Sequence, residues 1–524
     1  MASYNPEVSK HVGPSTLHAF SPGYEPDFSR IAVIDVFKGV AVMAGLFVTI
    51  LYWGGFSQGM QFSLTDFPGG IRYRSYAAIS LLLEGKMMGL VSLAFGAGII
   101  LFFVRPHLGS GLSNNDLYVR RNMWLILFGL VNAFIFLWPL DILFHLGVMG
   151  LLLFPFPRMK AKWLLASVLL VLVINSGKYY WNYTDDTKAY SKYVVADSLA
   201  KKYHIRDSIQ QRNDSIAGRL AKGKDSILMA AHLTKGNSTK AGSLSAKNDS
   251  TAKKTTDTLT RKQKKQMEEW EGIAKRYTWE KKKDSAKIKA LQEVSYIKNW
   301  EYIIVPAKQS EARWLYTIGV WELASIMLLG MWLFKIGFFF GRFNSSQYLV
   351  AALAGIAIGM LCGWYRLHCL TLIVDDYTKY VQQQLLPHTI LKPLEIACTV
   401  LGYASLFMYL MSSGRLKGLC SFFAKTGRMA LSHYLLQSLL LSVFFYGYGM
   451  GYYARIGQPG LYLVVFEIWI IHIVFTVFWT KFYYLGPAEW LLKSLIHRKW
   501  MPIKRIAEAG NEKALQTPSI VNHD

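Results

Sequence analysis

Asp141 and His145, four residues apart in the segment WPLDILFHLGVMG, carry the clearest chemical signal in this chain. On a helix those two positions share a face, so a carboxylate there can orient an imidazole, and histidine changes charge near neutral pH. Such a pair suits general base catalysis, a step in a proton relay, or a hydrogen-bonded packing contact; the residues alone leave all three open. A second group, Arg30, Asp35, Lys38, Arg120 and Arg121, sets four cations around one carboxylate. Asp35 and Lys38 are three apart and can neutralise each other, or the group can receive an anionic headgroup or a cofactor phosphate. Glu84, Glu322, Glu395, His433, Gln437 and Glu467 interrupt otherwise apolar runs. They are candidates for a substrate or proton path, because ionisable groups inside a bilayer are expensive and face a bundle interior or a cavity. His433 and Gln437 share a helix face by the same spacing of four.

The elements that must position these groups are set by lipid. Apolar runs of about twenty residues match a hydrocarbon layer of roughly 30 Å, and uninterrupted runs in lipid mean helices. We read spans at 31–53, 76–104, 121–138, 141–156, 162–177, 315–341, 346–364, 391–412, 429–448 and 460–484. The fold class is therefore all-α: a polytopic transmembrane bundle of about ten helices, with a polar, partly helical insert at 178–313. The order is a cytoplasmic segment 1–30, a first membrane half 31–177, the insert, a second half 314–492 and a basic cytoplasmic tail 493–524. Residues 1–30 hold no apolar core, so no cleavable signal peptide is expected.

Orientation follows from basic residues. With the amino terminus inside, Arg105, Arg120, Arg121, Arg158, Lys160, Lys162, Arg342, Arg415, Lys417, Lys425, Arg428 and the tail all fall on the cytoplasmic side. That is the positive-inside pattern. It places both termini in the cytoplasm and the insert outside. Lys335, Lys481 and Glu489 fall at the same depth as Asp35. The insert's own lysines do not oppose this, since long segments translocate regardless of charge.

A net charge of +25 over 524 residues could indicate a nucleic-acid partner, but the charge is spread over loops and insert, and no reader motif accompanies it. No nucleic acid is expected; the bilayer is. Cys362, Cys369, Cys398 and Cys420 sit in or beside apolar runs without a CxxC pair and read as inert buried thiols. No metal site is expected, and no GxGxxG, Walker or HExxH motif occurs. Within the insert, 203–257 is too polar to bury a core and reads as flexible. Residues 258–298 favour helix, with Met267, Trp270, Ala274 and Tyr277 on one stripe. That stretch reads as a solvated helix or short coiled coil, or as a docking surface for an envelope partner or anionic polymer.

Several segments resemble the YeiB-like family of bacterial membrane proteins, a domain of unknown function numbered 418. They are RIAVIDVFKGVAVMAGLFVTI, LVSLAFGAGIILFFVR, RRNMWLILFGLVNAFIFLWPLDILFHLGVMGLL, LLGMWLFKIG, GRMALSHYLLQSLL and FYYLGPAEWLLKSL. They occur in order through both membrane halves and omit only the insert. The resemblance implies residence in a bacterial inner membrane and kinship with integral-membrane acyltransferases. An acyl-CoA-type donor and an envelope glycan or lipid acceptor follow from that kinship. Those enzymes carry a histidine fourteen residues past the entry aspartate; this chain has Thr49 there. Lys38, Leu140, His433 and Lys493 also depart from the family pattern, whereas Gly39, Gly427, Arg428, Gly486, Pro487, Glu489 and Trp490 keep it.

Three readings stand. The first is a membrane acyltransferase using Asp141 and His145 as base and Arg30, Asp35, Lys38, Arg120 and Arg121 for the donor. The second is a proton-linked transporter using the buried acids, and the third a non-catalytic envelope scaffold.

Overall fold

A computed structural model of the chain describes residues 32–55, 70–104, 113–233, 259–275, 277, 281–414, 416–501 and 503. Arg30, Arg105, Arg415, residues 234–258 and the tail from 504 lie outside these. All regular elements among the described residues are helices. They are α1 (Ala32–Trp53), α2 (Ile71–Leu82), α3 (Lys86–Val104), α4 (Asn114–Phe134), α5 (Leu143–Leu152), α6 (Ala161–Leu233), α7 (Arg261–Ala274), α8 (Lys281–Leu291), α9 (Tyr296–Lys308), α10 (Val320–Lys335), α11 (Ser345–Asp375), α12 (Tyr377–Gln383), α13 (Lys392–Ser413), α14 (Lys417–Arg428), α15 (Ala430–Phe445), α16 (Gln458–Phe482) and α17 (Pro487–His497). A π-helix, Gln309–Gly319, continues α9 into α10.

Seven helical stretches among the described residues are long and apolar enough to cross a membrane. The other three expected spans differ in kind. Helices α5 and α15 are apolar but hold only 10 and 16 residues, hence about 15 and 24 Å of rise. Helix α4 opens with Asp116, Arg120 and Arg121, which dilute its apolar run. The expected second span divides at Gly85, where φ is +73°. A left-handed residue ends α2 and lets α3 restart at Lys86.

The chain forms two units. The larger comprises 1–180, 279–375 and 386–524, the smaller 181–278 and 376–385. Residues 279–313, which the sequence assigns to the insert, thus belong with the membrane helices. The cause is apolar: Leu291 and Ile303 are buried in one cluster with Trp53, Trp138, Phe445 and Tyr446. Hydrogen bonds seal the contact, from Gly447 N–H to Leu291 O (2.8 Å) and from the Tyr296 hydroxyl to Ile135 O (2.8 Å).

In the smaller unit the expected stripe packs on aromatic rings. Trp270 and Tyr277 both stack on Tyr377, and Tyr377 donates to Asp186 at 2.8 Å. Residues 203–233, expected to be flexible, continue α6 instead. Their alanines, lysines, arginines and glutamines are good helix formers.

Within the larger unit, helices cross where glycines let backbones meet. A Cβ at Gly96 would collide with Met327 O, and one at Gly330 with Leu93 O, so α3 and α10 touch through two facing glycines. Gly39 faces Phe423 O and Gly427 faces Asp35 O in the same way, locking α1 to α14. Small residues at crossings replace the water-driven force that lipid cannot supply.

Candidate functional site

One cavity of about 490 Å³ opens among α1, α3, α4, the Trp138–Leu143 segment, α15 and α17. Its two ends differ in chemistry. Asp35 and Lys38 at the start of α1, Arg428 beside the Gly39–Gly427 crossing and Glu489 at the start of α15 mark one end, and Arg121 also lines the cavity. Val42, Val48, Met87, Val91, Leu125, Leu146 and Leu441 line the walls, and Tyr52, Trp53, Trp138 and Tyr434 the other end.

Local rules fix the charged end. Lys38 reaches Asp35 at 3.4 Å, one turn apart on α1. Arg121 lies with its guanidinium 4.9 Å from the centre of the Phe95 ring, a cation–π placement that leaves its edge available. Arg428 sits 5.7 Å over Tyr484. Glu489 accepts from Leu431 N–H (2.6 Å), Ser432 N–H (3.2 Å) and the Ser432 hydroxyl. It thereby caps the start of α15, whose first backbone donors have no helical partner. Burial still pushes this carboxyl above its usual range. At the aromatic end Trp53 and Trp138 stack at 4.7 Å.

The structure gathers only part of the expected anion group. Asp35, Lys38 and Arg121 line the cavity, whereas Arg120 reaches Ile496 O at 3.5 Å. Arg30 lies outside the described residues. Arg428 and Glu489 complete the site; the sequence marks Arg428 as an orientation signal and as a residue that keeps the family pattern, and not as a site residue. The clue was their place in GRMALSHY and GPAEW, two segments that a helix cap brings together. Thr49 also lines the cavity.

Asp141 and His145 are buried at 2% exposure each, but neither lines the cavity. The Asp141 carboxylate accepts from Asn132 (2.8 Å) and Phe144 N–H (2.8 Å) and is hydrogen-bonded by Tyr434. It caps α5. The imidazole is oriented by the main-chain oxygen of Asp141, 2.5 Å from Nδ1, and not by the carboxylate that the spacing suggested. Tyr434 lines the cavity and also accepts from Ile142 N–H at 3.1 Å; it connects the two places.

Buried Glu322 and Glu395, with the exposed Glu84, form balanced ion clusters. Glu395 binds Arg366 through Nε (2.9 Å) and Nη2 (3.1 Å) and is also paired with Lys86. Ser80 joins in by accepting from Lys86 (2.8 Å) and Arg366 (3.1 Å) and donating to Glu84. Glu322 holds Lys392 at 3.0 Å and Tyr179 at 2.7 Å. Three acids thus meet three bases, and the sequence reading named only the acids. His388, in the loop before α13, is pushed down to about 4 by burial and by the charges of Arg366 and Lys392.

His433 and Gln437 do not bond to each other. The His433 Nδ1 lies 2.6 Å from His472 Nδ1 and its Nε2 2.9 Å from Thr476, while Gln437 donates to Val42 O at 3.2 Å. His472 therefore matters to His433, a link between helices that no spacing within one helix reveals. Glu467 is exposed on α16.

A bundle of apolar helices around a cavity charged at one end defines a polytopic membrane protein. Residues 333–499 match the family described as "Protein of unknown function (DUF418)". Over 179 residues the chain is 30% identical to "Uncharacterized protein YeiB" of Escherichia coli (strain K12), covering 34% of this chain and 45% of that protein. It is 31% identical over 103 residues to "Uncharacterized protein YxaH" of Bacillus subtilis (strain 168), covering 20% of this chain and 26% of that one. The match spans less than half the length of either relative. No solved structure matches. Through its second membrane half, this chain is similar to the YeiB-like DUF418 family.

Proposed function

We propose that the protein binds an anionic amphiphile, a lipid or an acyl-bearing phosphate, in this cavity. A single observation carries the reading: one continuous space joins Lys38, Arg121 and Arg428 to a long apolar wall. Phosphate oxygens suit guanidinium and ammonium donors, and acyl carbon suits the wall. Asp35 and Glu489 at the same end offset part of the positive charge and favour a headgroup of low net charge.

Acyl transfer from an acyl-CoA-type donor to an envelope glycan or lipid fits the same ligand, phosphates toward Lys38 and chain along the wall. One observation favours a second reading, uptake or translocation of the amphiphile. Among the described residues no histidine lines the cavity, and Thr49 stands where a base would be needed. We place the protein in a bacterial inner membrane with both termini cytoplasmic, supported by the alternation of basic loops in the sequence.

Native mass spectrometry of the full chain in nanodiscs, titrated with phosphatidic acid and with a neutral diacylglycerol of equal chain length, tests the binding. A charged hydrogen bond is worth about 1.5–3 kcal/mol. Arg121→Gln and Lys38→Gln should therefore each weaken the phosphatidic acid complex roughly 10- to 150-fold and leave the neutral lipid unaffected. Equal affinity for both lipids, or no change in either variant, refutes the reading.

A further inference from the structure

His145 is placed between acceptors. Its Nδ1 lies 2.5 Å from Asp141 O and its Nε2 3.2 Å from Ser310 O. A neutral imidazole has one N–H and one lone pair, so at one of these positions a lone pair would face a carbonyl oxygen; only the imidazolium donates at both. Beside it, Glu311 is 6% exposed, and neither carboxylate oxygen has a hydrogen-bond partner among the described residues. A buried carboxylate left that way is costly unless it is protonated or faces a cation. Glu311 Oε2 lies 3.6 Å from His145 Nε2. Each of the two anomalies resolves the other.

We infer that His145 and Glu311 form a proton-binding site, held as an imidazolium–carboxylate pair, that fastens the Gln309–Gly319 π-helix to the wall of the cavity. Nothing in the Asp141–His145 spacing pointed to Glu311, which enters from the far side of the insert. An independent feature marks the place. Eleven residues in π geometry are rare, and such segments concentrate at functional positions. The widened turn presents both Ser310 O and the Glu311 side chain to the same ring. Trp314, from that turn, meets the imidazole edge-on at 5.0 Å.

Of the surrounding charges, the Asp141 carboxylate acts on Glu311 through space, and the others have partners of their own or face outward. Asp141 is engaged by Asn132, Phe144 and Tyr434. Lys178 of α6 donates to Thr317 O at 2.6 Å, and Glu322 of α10 is held by Lys392 and Tyr179. Lys308 and Arg313 are exposed. The proton count is simple. One proton gained makes the pair neutral overall, and one lost from a ring nitrogen leaves a single buried negative charge. Because Leu143 and Leu146 of the same helix line the cavity, occupancy of this site sets how firmly that wall is held.

Solid-state NMR of the full chain, labelled with ¹⁵N-histidine and reconstituted in lipid, tests the assignment. The chain has 12 histidines, and the difference from His145→Gln isolates this ring. At neutral pH the native ring should show both nitrogens protonated. Glu311→Gln should give a neutral ring at the same pH, and Glu311→Asp should keep the imidazolium. A native His145 with one bare nitrogen overturns the proposal whether or not the variants fold. An imidazolium that persists in a folded Glu311→Gln protein overturns the pairing.

Discussion

Replacing Glu395 with glutamine keeps the shape of the side chain and removes one charge from a place where two cations depend on it. Lys86 and Glu395 are each 1% exposed and Arg366 11%. After the change the amide oxygen still accepts a hydrogen bond, but the charge beside Lys86 is gone, its other bond being to Ser80 O at 2.8 Å, and the anion left near Arg366 is the more distant Glu84 at 3.8 Å. Leaving a buried charge uncompensated costs roughly 3–5 kcal/mol, which lowers the folding equilibrium constant by about two to nearly four orders of magnitude. Lys86→Met alone removes a cation yet leaves the two-point Arg366–Glu395 contact, so it should cost far less. The double variant should recover part of the Glu395→Gln loss, a coupling of about 0.5–3 kcal/mol. Unfolding by SDS in bicelles, followed through the 16 tryptophans, measures all three. A loss under about 1 kcal/mol in Glu395→Gln, or strict additivity in the double variant, would show that these charges are hydrated and that the cluster is not what ties α3, α11 and α13 together.

Tyr434→Phe should leave α5 without one of its supports and loosen the link between Asp141 and the cavity; a loss of about 1 kcal/mol in the same assay, with phosphatidic acid affinity changed less than by Arg121→Gln, is expected. Burial and two neighbouring cations keep His388 neutral in the folded state. Stability should therefore hold above the ordinary histidine range, near 6.5, and fall as pH drops toward about 4. In His388→Gln that slope should be shallower in pH-dependent melting. Glu489→Gln should weaken the α15 cap by about 1 kcal/mol, read from melting in nanodiscs. Gly427→Val should drive a side chain into Asp35 O and weaken phosphatidic acid binding without removing any charged group, whereas Gly418→Val, where a Cβ meets nothing, should not.

The helical class was legible because lipid imposes one solution on apolar runs of this length. Most expected spans have a helix within a few residues. The divisions were less legible. Glu84 and Lys86 signal in the sequence that the long second run is divided, but the left-handed Gly85 between them is not announced by a lone glycine in GKMMGL, and residues 279–313 look polar in sequence because Leu291 and Ile303 bury only two apolar contacts among many lysines. The charged end of the cavity was half visible, since Asp35 and Lys38 are neighbours on one helix, while Arg428 arrives from a segment nearly four hundred residues later. Asp141 and His145 show the limit of spacing arguments most clearly. The imidazole does meet Asp141, but at its main-chain oxygen; the carboxylate takes Asn132, Phe144 and Tyr434 instead, and the other ring nitrogen faces Ser310 and Glu311. A spacing of four says which side chains can meet; it does not say which competitor for a hydrogen bond is nearer.

The recognised family region begins at residue 333, yet it cannot build the cavity alone. Asp35, Lys38, Arg121 and the apolar wall of α1 and α3 come from the first half of the chain, and the matched region supplies Gly427, Arg428, Leu485, Glu489 and the lining residues of α15 and α17. The seam between them is the Gly39–Gly427 crossing, where backbone meets backbone and no larger residue fits. The basic-Gly pair at Lys38–Gly39 and the Gly-Arg pair at Gly427–Arg428 therefore serve two ends at once. Each glycine brings its helix to the crossing, and each adjacent cation is delivered by that contact to the same end of the cavity. Close approach and charge placement are one requirement, which accounts for the glycine and the base standing side by side in both segments.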